Sequence, residues 1–161
     1  KALKNNKHIL VSLDGDQIIK RAHVNIGMAV ALEDGLIVPV IKDADKMSLG
    51  EISEAARDLA ERARTNKLSM DEYKGSTFSI SNLGMFGVET FNPIINQPDA
   101  GILGVCAVQD ELVMDDAGAI TKRQFMRISF TFDHRLIDGA TAAKFELAIR
   151  DLMEHPMQIL L

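Results

Sequence analysis

Within the 161 residues, the stretch His134-Arg135-Leu136-Ile137-Asp138-Gly139 has the residue types and spacing best suited to chemistry. Histidine exchanges its proton near neutral pH, so it can serve as a general base or acid. His134 directly follows an alternating strand, and the segments that leave a rigid scaffold often carry catalytic residues. Extending that alternation by two residues gives His134 the inward parity of Phe132. This implies a partly desolvated imidazole, kept neutral near pH 7 and able to act as a base. Two other readings stay open: His134 as a strand-end residue that caps a backbone carbonyl, and His134 with Asp138 as two ligands of a metal site. The metal reading is the weaker, because no further His or Cys stands at ligand spacing and a two-ligand site binds poorly. No metal is expected. Cys106 lies in an apolar strand with no basic neighbour to lower its pKa, so it reads as a buried structural thiol rather than a nucleophile. Taken alone, Ser81 reads as a turn residue and Asp138 as a helix N-cap.

These residues need elements to position them. His23 to Leu32 and Leu36 to Ile41 are apolar and rich in Val and Ile, with Glu33-Asp34-Gly35 between them, which predicts a β-hairpin. Ser48 with Glu51 three residues on forms a capping box. Leu49, Ile52, Ala56, Leu59 and Ala63 then recur at helical spacing, with Arg62, Arg64 and Lys67 near the C-terminal end of the dipole. Thr77 to Ser81 alternates as a strand and gives way to Asn82-Leu83-Gly84-Met85-Phe86-Gly87, whose glycines allow a tight loop. Ala100 to Val108 reads as a buried strand, and Asp115-Asp116-Ala117-Gly118 as an exposed turn. Gln124 to Phe132 alternates, with Met126, Ile128, Phe130 and Phe132 on one face. A helix follows Asp138-Gly139, burying Ala142, Phe145, Ile149 and Leu152, and stops at Pro156. Strands and helices mix without strict βαβ alternation. The expected fold class is therefore α/β, a two-layer mixed β-sheet with helices packed mainly on one face.

Bulk properties narrow the function. A chain of this length buries about two-thirds of its unfolded surface and needs no staple, and one cysteine excludes an internal disulfide framework. A reducing compartment follows. The net charge of -5 is spread along the chain without a basic cluster, so neither nucleic acid nor an anionic membrane is an expected partner. No apolar run approaches the roughly 20 residues that span a bilayer, and Lys1-Ala2-Leu3-Lys4 lacks a secretion pattern. With no Trp, one Tyr and eight Met, the core packs through aliphatic and thioether groups.

Phe132-Asp133-His134-Arg135-Leu136-Ile137-Asp138-Gly139 resembles the His-x-x-x-Asp-Gly signature of the dihydrolipoamide acyltransferases, the E2 components of 2-oxo acid dehydrogenase complexes. Chloramphenicol acetyltransferase shares that signature. Gly35-Leu36-Ile37-Val38-Pro39-Val40-Ile41-Lys42 and Gly75-Ser76-Thr77-Phe78-Ser79-Ile80-Ser81-Asn82-Leu83-Gly84, continued to Ile94-Ile95-Asn96, resemble the same enzymes, in the family's order and at about its spacing. The resemblance implies one catalytic domain over residues 1–161 with the CoA-dependent, chloramphenicol acetyltransferase-like fold. It implies His134 as the base that deprotonates the attacking thiol, Ser81 as the oxyanion donor and Asp138 as a supporting residue. Ser79, Asn82 and Lys42 are the candidates for coenzyme A contact. The acyl group would pass directly between coenzyme A and a lipoyl group presented by a separate lipoyl domain. Asn82-Leu83-Gly84-Met85-Phe86-Gly87 looks more like the acetyl-transferring type.

The same resemblance implies a homotrimer, alone or in a 24- or 60-subunit core, with His134 of one subunit working beside Ser81 of its neighbour. E1 and E3 components would join through segments outside this chain, in bacterial cytoplasm or mitochondrial matrix. Family domains usually begin some distance before the point that Lys1 matches, so an N-terminal part, the lipoyl domain and the partner-binding segment are expected to be absent. Two alternatives stand beside the leading reading: a non-catalytic oligomeric core fragment of the same complex, and an antibiotic acetyltransferase of the chloramphenicol type.

Overall fold

The computed structural model describes residues 1–160. A short helix α1 (Ala2–Asn5) leads into the hairpin β1 (Val11–Asp14) and β2 (Gln17–Lys20). The apolar run from His23 to Ile41 does form a hairpin, but an interrupted one. Its outer part pairs β4 (Val30–Leu32) with β5 (Gly35–Ile37); its inner part pairs β3 (Ile26–Met28) with β6 (Val40–Ile41). The break has a local cause. Ala29 donates to Ile80 O and Met28 to Pro39 O, and Pro39 has no N–H to continue the ladder.

Helix α2 (Leu49–Arg64) begins at the expected box, with Ser48 Oγ accepting from Glu51 N and Glu51 accepting from Ser48 N at 2.7 Å. Its last turn is tied down by Arg62, which donates to Asp58 and to Glu72. Strand β7 (Phe78–Asn82) then enters the sheet, followed by the long hairpin β8 (Gly101–Met114) and β9 (Ile120–Phe132). Asp115 closes that hairpin, its carboxylate accepting from Ala117 N and Ala119 N. Helix α3 (Gly139–Glu154) follows, and after Pro156 a last turn, α4 (Met157–Leu160).

The main sheet has the order β6-β3-β7-β8-β9. β3, β7 and β8 run parallel, while β6 and β9 are antiparallel at the two edges. One face carries Phe78, Leu103 and Phe130 against α1 and α3, and Ile26 and Met28 of the same sheet meet α2. Phe145 of α3 is the keystone. It is 1% exposed and packs edge-on against Phe78 and Phe130, at 5.6 and 5.2 Å between ring centres. Burying such a side chain stabilises the fold by about 1.5–3 kcal/mol. The other face sets the small or polar residues Gly27, Ser79, Gly104 and Ser129 beside the buried Ile102, and is covered by the 88–99 loop rather than by a helix. Ser129 Oγ donates to Phe91 O at 2.7 Å, and a Cβ at Gly104 would stand 2.4 Å from Ser129 Oγ. The helices thus lie on one face, as the patterning implies.

Candidate functional site

His134 stands in a turn that its neighbours hold rigid. β9 ends at Phe132, and Asp133 O accepts from both Leu136 N and Ile137 N. Asp133 also clasps Arg135, taking its backbone N–H at 3.0 Å and its Nη2 at 2.6 Å. That guanidinium holds the Asp133 carboxyl below its usual range. Ile137, 1% exposed, anchors the turn in the core. Asp138 caps α3, accepting from Thr141 N at 2.9 Å and from its hydroxyl at 2.8 Å, and these bonds hold its pKa down as well. Asp138 is therefore the N-cap that its position suggests.

The inward parity expected for His134 does not hold. The strand stops at Phe132, the turn rotates the backbone, and within this chain His134 is exposed. Its ring lies 5.6 Å from that of Phe132 and makes no hydrogen bond to another described residue. The carbonyl-capping reading finds no support, and among the described residues no group of three or more His, Cys, Asp or Glu could hold a metal.

Ser81 occupies the other end of the sheet, half-buried near the C-terminus of β7. Asn82 next to it accepts from Gly84 N at 2.8 Å and so starts the 84–86 turn. Gly84 presses on β8: a Cβ there would lie 2.6 Å from Cys106 O, so no side chain fits. The turn leaves Met85 and Phe86 exposed, while Cys106 is buried as expected.

Within one chain Ser81 and His134 are far apart. Ser81 pairs with Gly104, while Asp133, just before His134, donates to Ala100. They are thus four to five positions apart along β8 and two strands apart across the sheet. At about 3.3 Å per residue and 4.8 Å per strand this is roughly 16–19 Å. Lys42 is exposed beyond β6, four strand spacings or about 19 Å from β9 across the sheet. Ser79 is 1% exposed, its hydroxyl donating to Asp99 at 2.6 Å, so it faces the sheet's interior and not a ligand. Of the three candidates for coenzyme A contact, only Asn82 lies beside Ser81.

Two features escaped sequence reasoning. The Asp133–Arg135 clasp had a signal, opposite charges flanking the histidine. The other is a cleft of about 950 Å³ lined by Asp133, Arg135, Thr131, Leu13 and the Pro93–Asp99 segment; its parts come from three separate stretches of the chain and have no local signature. Asp99 lies in its wall. Burial raises its carboxyl pKa, opposed by bonds from Ser76 and Ser79 and by Arg21.

Residues 1–161 match the family described as 2-oxoacid dehydrogenases acyltransferase (catalytic domain). The succinyltransferase component of the 2-oxoglutarate dehydrogenase complex of Rickettsia typhi is 44% identical over 99% of this chain and 40% of its own length. The acetyltransferase component of the Bacillus subtilis acetoin cleaving system is 47% identical over 91% of the chain and 36% of its own. The chain therefore spans about two-fifths of the length of these relatives. A crystal structure of the Azotobacter vinelandii dihydrolipoamide acetyltransferase, studied for the catalytic roles of a Ser, a His and an Asn, superposes with a TM-score of 0.92 at 40% identity, covering 99% of this chain and 66% of that one. A truncated catalytic core from Thermoplasma acidophilum superposes at 0.86 and 41% identity, covering 96% of this chain and 69% of that one. The match over the whole sequence and the superposition over nearly the whole fold place this chain in the acyltransferase catalytic-domain family of the 2-oxoacid dehydrogenases.

Proposed function

We propose that this domain transfers an acyl group between coenzyme A and dihydrolipoamide, with His134 as general base. The observation that carries the reading is His134 itself, an exposed imidazole fixed by a clasped turn and a capped helix and bonded to nothing else described in the chain. In the forward step His134 Nε2 takes the proton of the attacking thiol, and the thiolate adds to the thioester carbonyl carbon. The resulting oxyanion accepts a hydrogen bond from Ser81, worth about 2.7–4 kcal/mol of transition-state stabilisation. When the intermediate collapses, the leaving thiolate takes the proton back from the imidazolium. Because His134 and Ser81 of one chain stand so far apart, the two act together across a subunit boundary in a trimer. Such a boundary also forms a channel that two long thiol substrates can enter from opposite ends.

Relatives named for succinyl and for acetyl transfer both stand at 44% identity, so the acyl group depends on particular pocket residues. We place acetyl first, on the Asn82–Gly87 loop. Coenzyme A and a lipoyl group from a separate domain are the substrates, and Asn82 is the contact candidate best placed for them. A non-catalytic oligomeric core is the second reading, favoured by the bare apolar residues Leu112, Met114 and Ile120, each about three-quarters exposed. The test is an assay of acetyl transfer from acetyl-CoA to dihydrolipoamide, with chloramphenicol as rival acceptor. Transfer to dihydrolipoamide alone is expected. Transfer to chloramphenicol, or intact oligomers without turnover, would sink the reading.

A further inference from the structure

Asp99 is 4% exposed, and the hydroxyls around it count its protons. Asn96 Nδ2 donates to Ser79 Oγ at 3.2 Å, so the single hydrogen of Ser79 is directed to Asp99 Oδ2, 2.6 Å away. Ser76 Oγ also lies 2.6 Å from Oδ2, and it lies 3.3 Å from Phe78 O. One hydroxyl hydrogen cannot serve both acceptors well. If Oδ2 carries a proton, it donates to Ser76, Ser76 donates to Phe78 O, and each hydrogen from Asn96 onward has one acceptor. The other oxygen, Oδ1, is buried without a partner. An ionised carboxylate would leave much of its charge there with neither protein donor nor water, whereas a neutral C=O costs far less. Burial acts on the carboxyl in the same direction. β3 makes room for the cluster: a Cβ at Gly27 would stand 2.7 Å from Ser76 Oγ and 2.8 Å from Ser79 Oγ.

We propose that Asp99 is held as a neutral carboxylic acid in a one-way hydrogen-bond chain, and that this chain makes it the positioning residue for His134. The connection is short. Asp99 N donates to Asn96 O at 3.0 Å, and the next residue, Ala100, accepts from Asp133 N at 2.8 Å. Fixing Asp99 therefore fixes the start of β8, on which the His134 turn is hung. The charged groups facing Asp99 are Arg21, from the segment after β2, and the mutually paired Asp133 and Arg135 across the cleft. Of these charged groups Arg21 favours the anion, as do the Ser76 and Ser79 hydroxyls where they donate to it. The inference rests on His134 as base, and its test has one arm that does not.

That arm compares thermal melting of the wild type and Asp99→Asn between about pH 4 and 9. A carboxyl whose folded pKa is raised contributes stability that is complete below its unfolded pKa and is lost as pH rises through the folded value. An amide does not titrate. The melting temperature of Asp99→Asn relative to wild type is therefore expected to climb with pH. A relative value that falls with pH, stays flat, or cannot be measured because Asp99→Asn fails to fold overturns the neutral acid. The kinetic arm uses the oligomeric protein: Asp99→Ala is expected to lower kcat roughly tenfold or more with KM for coenzyme A unchanged, and Asp99→Asn to restore it. Should Asp99→Ala not fold, Ser76→Ala, which removes the acceptor of the Asp99 proton, takes its place with the same expectation. Equal losses in the alanine and asparagine variants, or a loss confined to KM, overturn the positioning role. His134→Ala run alongside shows whether the base assignment has failed instead.

Discussion

The turn that carries His134 and the turn that follows Ser81 lie toward opposite ends of the parallel strands of one sheet and are held by opposite chemistry. At the His134 end, charge holds the backbone: Asp133 clasps Arg135 and Asp138 caps α3. At the Ser81 end neutral groups hold the backbone: Asn82 ties down Gly84, and Gly84 lies against Cys106 backbone too closely for any side chain. The difference suits the proposed tasks. A base works best where neighbouring charges fix its turn, and an oxyanion donor works by rigid placement of a neutral dipole.

The strongest challenge to this division is His134→Ala, assayed in the full-length protein. It is expected to lower kcat by at least roughly 10²-fold with little change in KM for coenzyme A. Retention of more than about a third of wild-type kcat would remove His134 as the base. Ser81→Ala should cost about 10²- to 10³-fold in kcat, and an unchanged kcat would return Ser81 to the role of a turn residue. Together the two variants test the boundary. In trimers co-assembled from His134→Ala and Ser81→Ala chains, some boundaries pair an intact His134 with an intact Ser81, so part of the activity should return. If trimers shown to be mixed by mass spectrometry recover nothing above the parents, the shared site is wrong.

This separation shows where sequence reading stops. The α2 capping box needed only Ser48 and Glu51, three residues apart, and the alternation of β9 followed from Met126 to Phe132; local rules settle such features. The register that levels Ser81 with Gly104 is long-range, and the parallel pairing of β7 with β8 leaves no turn to announce it; the level of Asp133 with Ala100 is set across a long hairpin whose register shifts between Val105 and Val108. The parity error at His134 is of the same kind, because the end of β9 is set by Asp133 closing onto Leu136 and Ile137 rather than by hydropathy. Asp99 was not legible either, since its partners Ser76 and Ser79 lie about twenty residues earlier.

Asp138→Asn sharpens the contrast with a smaller effect. An amide oxygen still accepts from Thr141 N, so kcat is expected to stay within about threefold of wild type, far above His134→Ala. The related Azotobacter enzyme, studied for a catalytic Asn as well as a His and a Ser, gives this substitution added interest. Equal loss in Asp138→Asn and His134→Ala, with circular dichroism unchanged, would mean that the carboxylate charge itself takes part.

The smallest effect is the most local. Asp133 and Asp138 both have folded pKa values below the ordinary carboxyl range. For a depressed pKa, the stabilising bond is complete above the unfolded value, near 3.8 for each, and is lost as pH falls through the lower folded one. Acid should therefore loosen the His134 end while leaving the Ser81 end intact. Backbone amide shifts followed by NMR can separate the two. The amides of Arg135 and Thr141, each bonded to one of these carboxylates, should move with inflections below 3.8, while Gly84 N–H, bonded to the Asn82 amide oxygen, should stay in place. If Gly84 moves with the same inflection, acid is unfolding the domain as a whole and the two ends do not differ in how they are held. If Arg135 and Thr141 inflect at or above the ordinary carboxyl value, the clasp and the cap are too weak to fix the turn that carries His134.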